Sequence, residues 1–80
     1  MFYVYLLESE NSLGQRYVGL TTDLKRRVAE HNAGKSAHTS KFLPWRLVTY
    51  IAFSGQAKAT AFERYLKSGS GHAFARKRLW

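Results

Sequence analysis

Apolar and aromatic residues gather in three short runs, and the stretches between them carry the turn-forming and charged residues. Phe2-Tyr3-Val4-Tyr5-Leu6-Leu7 is rich in residues that favour strands and reads as a buried strand. Glu8 through Gln15 contains Asn11, Ser12 and Gly14 and turns the chain. Arg16-Tyr17-Val18-Gly19-Leu20 then returns as an antiparallel partner. Thr21 or Thr22 is positioned to cap a helix, with Asp23 in its first turn, where the dipole favours an acid. Leu24, Val28 and His31 follow at helical spacing, and Gly34 is a natural stop. Lys35 to Pro44 reads as a polar, basic loop. Trp45 to Phe53 is the third strand, broken at Ser54 or Gly55, and Ser54 can cap the next element. Residues 56–68 hold Ala57, Ala59, Ala61, Phe62 and Leu66 without a breaker and predict a helix. Gly69-Ser70-Gly71 then separates it from a last helix, Ala73 to Leu79. The order β-β-α-β-α-α is an α+β pattern: three short strands in one mixed or antiparallel sheet with helices packed on it. Periodicity does not set the place of the third strand in that sheet.

Eighty residues predict a single domain spanning 1–80, with a core that must be compact because a short chain buries a small share of its surface. The 45% hydrophobic and 15% aromatic content argues against disorder. The absence of cysteine excludes disulfides, thiolate metal sites and cysteine nucleophiles, and a small fold without disulfides is expected in the cytoplasm. Met1 to Ser9 has no basic residues ahead of its apolar run, so it reads as a strand and not as a signal peptide. No apolar run approaches the ~20 residues needed to cross a membrane.

Charge changes the picture most. Thirteen Lys and Arg against five acids give +8. Residues 1–40 hold five basic and four acidic side chains, a net of +1, and residues 41–80 hold eight and one, a net of +7. That asymmetry favours a polyanion, most simply nucleic acid, over charge carried for solubility alone.

The acids limit the chemistry. Glu8, Glu10, Asp23, Glu30 and Glu63 are the only carboxylates, too few and too scattered for a two-metal nuclease site. What remains is at most a one-carboxylate metal site with aromatic hydroxyls and basic groups. Arg27 and His31 lie one turn apart on the helix face that also carries Leu24 and Val28, so they are expected at the edge of the buried stripe. An arginine there is suited to clamp phosphate and a histidine to move a proton near neutral pH. The plainer reading is a helix rim with two polar groups. Glu63 is the sole acid of the second half, with Lys67 one turn on. It reads either as a surface ion pair worth less than about 0.5 kcal/mol, or as the hard oxygen ligand that Mg²⁺ takes once or twice while keeping waters. Tyr3 and Tyr5 share a strand face, and Tyr17 precedes Val18-Gly19 on the partner strand; each by itself reads as a packed aromatic.

Taken in order, Tyr3-Val4-Tyr5, Tyr17-Val18-Gly19, the segment from Thr22 through Arg27 to His31-Asn32, and Ala59-x-x-x-Glu63-x-x-x-Lys67 resemble the GIY-YIG nuclease superfamily, most closely its small single-domain bacterial members. The resemblance spans essentially the whole chain and implies a three-stranded antiparallel sheet with helices around it. It implies that Tyr5 and Tyr17 place their hydroxyls at the scissile phosphate to position or deprotonate water. It gives Arg27 the role of stabilising phosphate charge, His31 a part in proton transfer, and Glu63 the single divalent metal, Mg²⁺ with Mn²⁺ as the substitute. Lys67 matches a frequent basic position. The first triplet here is Tyr-Val-Tyr; Leu20 stands where some members carry lysine, and no asparagine lies beyond Glu63. His38 and Lys41 are the basic groups available to substitute.

The implied activity is metal-dependent hydrolysis of DNA phosphodiesters in repair or recombination. The small size favours branched or single-stranded DNA over a long duplex sequence. Lys35, His38, Lys41, Lys67, Arg76, Lys77 and Arg78 are the expected nucleic-acid contacts. Trp45 reads as core, and Trp80, if exposed, as a surface on which an unpaired base can stack. The alternative is a nucleic-acid-binding domain that has kept the fold without turnover, and a third class is an interaction subunit whose basic face docks on a partner nuclease.

Overall fold

The computed structural model describes residues 1–80. Strands β1 (Phe2–Ser9), β2 (Arg16–Thr21) and β3 (Trp45–Phe53) form one antiparallel sheet in the order β2-β1-β3. Helices α1 (Leu24–Asn32), α2 (Gln56–Leu66) and α3 (Gly69–Arg78) cover it, and a short 3₁₀ turn, Ser40–Phe42, interrupts the loop before β3. The β-β-α-β-α-α order and the α+β class are those expected from the sequence.

β1 is an unbroken apolar run because both its faces are covered. Val4 and Leu6 point into a cluster with Ala59, Leu66 and Ala75 from α2 and α3. Tyr5 and Leu7 point the other way, into a cluster with Trp45, flanked by Leu24 and Val28 from α1. Burying an apolar side chain of this size contributes about 1.5–3 kcal/mol, so the central strand anchors both layers. Trp45 is core, as expected.

β3 follows the alternation only in part. Leu6 pairs with Thr49 but Leu7 pairs with Leu47, so one residue of β3 is extra, a bulge at Val48. Trp45 and Leu47 therefore stay on the α1 side, while Thr49 swings to the other face and donates to the Leu79 carbonyl at 2.6 Å. Strict period-two reading puts all three residues on one face.

Element ends differ from expectation in four places. β1 runs on to Ser9, and Glu8, expected in the turn, sits in the strand, bonded to Arg16 at 3.1 Å and Arg46 at 2.9 Å. The cap of α1 is Asp23, not a threonine: its carboxylate accepts from the Arg26 amide at 3.1 Å, while Thr21 Oγ1 accepts from the Asp23 amide. Gly55, not Ser54, precedes α2, which ends at Leu66. The Gly69-Ser70-Gly71 stretch, expected to separate two helices, is the first turn of α3, capped by the Ser68 hydroxyl. A Cβ on Gly71 would overlap the Tyr65 carbonyl, so the glycine serves close helix–helix approach and not a break.

Candidate active site

The site grows from the pairing of β1 with β2. Tyr5 stands opposite Gly19, and its phenol ring lies directly over the glycine, where a Cβ would overlap the ring. The missing side chain at Gly19 is therefore the space that Tyr5 occupies. Two residues earlier on the same face, Tyr17 tilts against Tyr5, with ring centroids 6.2 Å apart.

α1 lays His31 and Arg27 onto these tyrosines. The Tyr5 hydroxyl lies 2.9 Å from His31 Nε2, and Arg27 Nε donates to the same hydroxyl at 3.4 Å. His31 Nδ1 lies 2.7 Å from the Thr39 hydroxyl, and the Tyr17 ring packs over the imidazole at 4.9 Å. Arginine has no acceptor, so Arg27 can only donate to the Tyr5 oxygen. The Tyr5 and Thr39 hydroxyls each donate or accept, so a neutral imidazole bridges them in either tautomer.

Electrostatics keeps that imidazole neutral. Burial, reinforced by the charge of Arg27, pushes the His31 pKa below its usual value, so the ring is neutral near pH 7. Burial raises the Tyr5 hydroxyl above the usual tyrosine value, against the opposing hydrogen bond from Arg27. Arg27 is raised further, chiefly by its bond to Tyr5 and then by Glu30. Glu30 accepts from Arg27 at 3.1 Å and from Arg26 at 3.3 Å, and the Arg27 bond is the larger cause of its lowered carboxyl pKa.

His31, expected at the rim of the buried stripe, is instead wholly buried, because Thr39 and the 34–44 loop close over it. Arg27 is at the rim, about one-third exposed. Tyr5 is buried beneath both, and Tyr17 is half-buried with its ring on the surface of a cleft.

That cleft, of about 510 Å³, crosses the free edge of β2. It brings Tyr17 and His38 together with Lys67, Arg76 and Trp80. The exposed cations Lys35, Lys41, Lys77 and Arg78 do not line it. A larger groove of about 630 Å³ lies on the α1 side beside Tyr3, Leu24 and Tyr50, away from the Tyr5–His31 network.

Glu63 belongs to the layer on the opposite side of the sheet from Tyr5 and His31. It is partly buried on α2 and forms the expected ion pair with Lys67, the residue that lines the cleft. The chain brings no three acidic, histidine or cysteine side chains together as a ready-made metal cage. One partly buried carboxylate paired with a cleft-lining lysine fits a hard cation that keeps most of its waters, and it requires Lys67 to yield the oxygen.

Three positioning residues escape a reading of the sequence. Thr39 holds His31 by its hydroxyl and, through its carbonyl, accepts from the Trp45 indole at 2.8 Å. Asn32 clamps the main chain of Trp45 with two bonds, from its amide at 3.0 Å and to its oxygen at 2.6 Å, joining α1 to β3. Glu30 fixes Arg27. Only the last has a local signal, the three-residue spacing that makes Arg27 and Glu30 helix neighbours.

A family model described as the GIY-YIG catalytic domain matches residues 1–77. The chain belongs to the GIY-YIG family. GIY-YIG domains have nuclease-type function and are generally divalent-metal dependent. A UPF0213 protein from Streptococcus pneumoniae serotype 4 is 41% identical over 66 residues, covering 81% of this chain and 65% of that protein. A UPF0213 protein from Haloquadratum walsbyi is 44% identical over 68 residues, covering 82% of this chain and 73% of its own length. The chain thus spans about two-thirds of the length of the streptococcal relative. The solution structure of a UPF0213 protein from Bacillus halodurans has 34% sequence identity and a TM-score of 0.57, covering 96% of this chain and 84% of that one. No helix of this GIY-YIG chain is long and apolar enough to cross a membrane.

Proposed function

We propose that this GIY-YIG domain is an endonuclease that hydrolyses DNA phosphodiester bonds with the help of a divalent cation, acting on single-stranded or branched DNA in repair or recombination. The observation that carries this reading is the Arg27–Tyr5–His31–Thr39 hydrogen-bond chain lying directly behind Tyr17 at a basic cleft.

The residues divide the work by depth. Tyr17 presents its ring at the cleft and is the group suited to contact the attacking water. Neutral His31, packed at a tilt against Tyr17 and bonded to Tyr5, is the proton acceptor behind it. Arg27 holds the Tyr5 oxygen by Nε while Glu30 fixes one terminal nitrogen, which orients the guanidinium toward phosphate charge. Lys67, released from Glu63, adds a second cation from the cleft. Glu63 is the residue that would hold Mg²⁺ or Mn²⁺, which when bound supplies charge stabilisation at the phosphate and the leaving oxygen.

The experiment is a panel of labelled oligonucleotides, covering single strands, flaps, junctions and duplex, with Mg²⁺ or with chelator. Metal-dependent cuts in the single-stranded or branched members are expected. Glu63→Gln keeps size and removes the charge, so it should fold with little change in melting temperature and lose several orders of magnitude in cleavage. A variant that cuts within about tenfold of wild type removes Glu63 from the metal role. The Glu63–Lys67 ion pair favours a second reading, a binding domain without turnover, whose signature is salt-dependent binding with no cleavage under any metal.

A further inference from the structure

The cleft is larger than one phosphate needs, and its far wall is aromatic. Every charged side chain that lines it is basic, Arg16, Lys67 and Arg76, with two histidines beside them and no carboxylate. Its volume of about 510 Å³ lies within the ~300–1,000 Å³ typical of small-ligand sites. Trp80 packs its indole against the core layer beneath the sheet, and the guanidinium of Arg16 stacks over the ring at 4.8 Å. Arg16 is also held by Glu8 at 3.1 Å, so it keeps a partner if it leaves the indole.

We propose that this cleft is a subsite for one unpaired nucleotide beside the phosphate at Tyr17, with the Trp80 indole as the platform on which the base stacks after displacing Arg16. The proposal rests on the nuclease reading above and assigns its substrate as single-stranded DNA at that position. Tyr17 and Trp80 line the same cleft, so a strand that brings a phosphate to the tyrosine delivers a neighbouring base to the tryptophan. A base paired inside a duplex is stacked between its neighbours and cannot enter. An unpaired one exposes its π-face, and stacking on indole outweighs an exposed cation–π contact, so displacement of Arg16 is favourable. The freed guanidinium and Arg76 then face the strand's phosphates.

The test is binding in EDTA, where metal-dependent cutting is absent, read by intrinsic fluorescence and by anisotropy of labelled DNA. Trp45 is buried under the α1 layer, so quenching by a short oligothymidylate reports Trp80. Trp80→Leu keeps the apolar packing and removes the platform; Trp80→Phe keeps a smaller one. Wild type should show quenching on binding. Trp80→Leu should bind the single strand about 5- to 150-fold more weakly, the fold-change equivalent of one lost stack, and blunt duplex within about twofold of wild type. Trp80→Phe should recover most of the loss. Equal losses on duplex and single strand, unchanged single-strand affinity, or absence of quenching overturns the subsite. If wild type cuts DNA while Trp80→Leu binds single strands normally, the subsite fails and the nuclease stands. If binding depends on Trp80 but nothing is cut with any divalent metal, the nuclease reading fails and the subsite stands.

Discussion

His31 has no solvent exposure, and its two ring nitrogens face Tyr5 and Thr39. Its pKa is lowered by burial, then by Arg27, with Glu30 opposing. An unfolded histidine titrates near 6.5, so as pH falls the unfolded chain takes up the proton first. The stabilisation is therefore complete above about pH 6.5 and is lost as pH falls through the lower folded pKa. Urea midpoints of wild type should drop as the solution is taken below that value, and His31→Gln should flatten the drop; a variant with the wild-type pH slope would assign the loss to other groups. Arg26 and Arg27 give a second contrast at this scale. They carry the same charge and share Glu30, but only Arg27 reaches the Tyr5 oxygen, and Arg26 is three-quarters exposed. Arg27→Ala should lower cleavage on the order of a hundredfold or more, the usual cost of one positioned donor to developing charge, and Arg26→Ala only slightly. Equal losses in single-turnover rates would reduce both to general phosphate attraction.

Between elements, the decisive contact is the close approach of α2 and α3. Gly71 is buried where its backbone meets Tyr65 and Leu66, and Gly69, at the start of the same helix, has open space where a Cβ would stand. Ser68 accepts from the Gly71 amide and caps the helix at the same point. Gly71→Ala forces the helices apart and should cost about 1–3 kcal/mol, the range for overpacking a filled site. Gly69→Ala should be neutral or gain about 0.4–1 kcal/mol through the unfolded state. Thermal or urea unfolding of the pair checks this, and equal effects would deny the close approach. Because Lys67, the C-cap of α2, and Arg76 on α3 line the cleft, the same loosening should also weaken DNA binding.

The charge of the whole molecule is not spread as the chain order suggests. Arg76, Lys77 and Arg78 all lie in the last turn of α3, where cations also favour the negative end of the helix dipole. Only Arg76 faces the cleft. Arg76→Gln should make the log–log salt dependence of single-strand binding shallower by about 0.7, one phosphate contact, while Lys77→Gln leaves it nearly unchanged. Identical slopes for wild type and Arg76→Gln would move the binding face elsewhere, most simply to the exposed Lys35 to Lys41 loop.

The strands, the helices and their order were legible in the residues, because apolar runs, turn residues and helical spacing are local signals. So was the α1 face that unites Arg27 with His31, since residues four apart must share it. The β2-β1-β3 order, the bulge that turns Thr49 away from Leu47, and α3 beginning at Gly69 were decided by packing between elements distant in sequence. The same holds for the site. Thr39 lies in a loop with no periodicity to mark it, and it becomes the partner of His31 only when that loop folds over α1. Along the chain Gly19 is one more residue of a short strand, yet across the sheet it is the gap that admits the Tyr5 ring. Glu63 and Tyr17 sit on opposite layers, and only the free edge of β2, with Lys67 reaching the cleft, brings their surroundings together. Local sequence determines what each segment is, because the forces involved act over a few residues. Which groups meet is decided by burial, which acts between any surfaces the fold presses together.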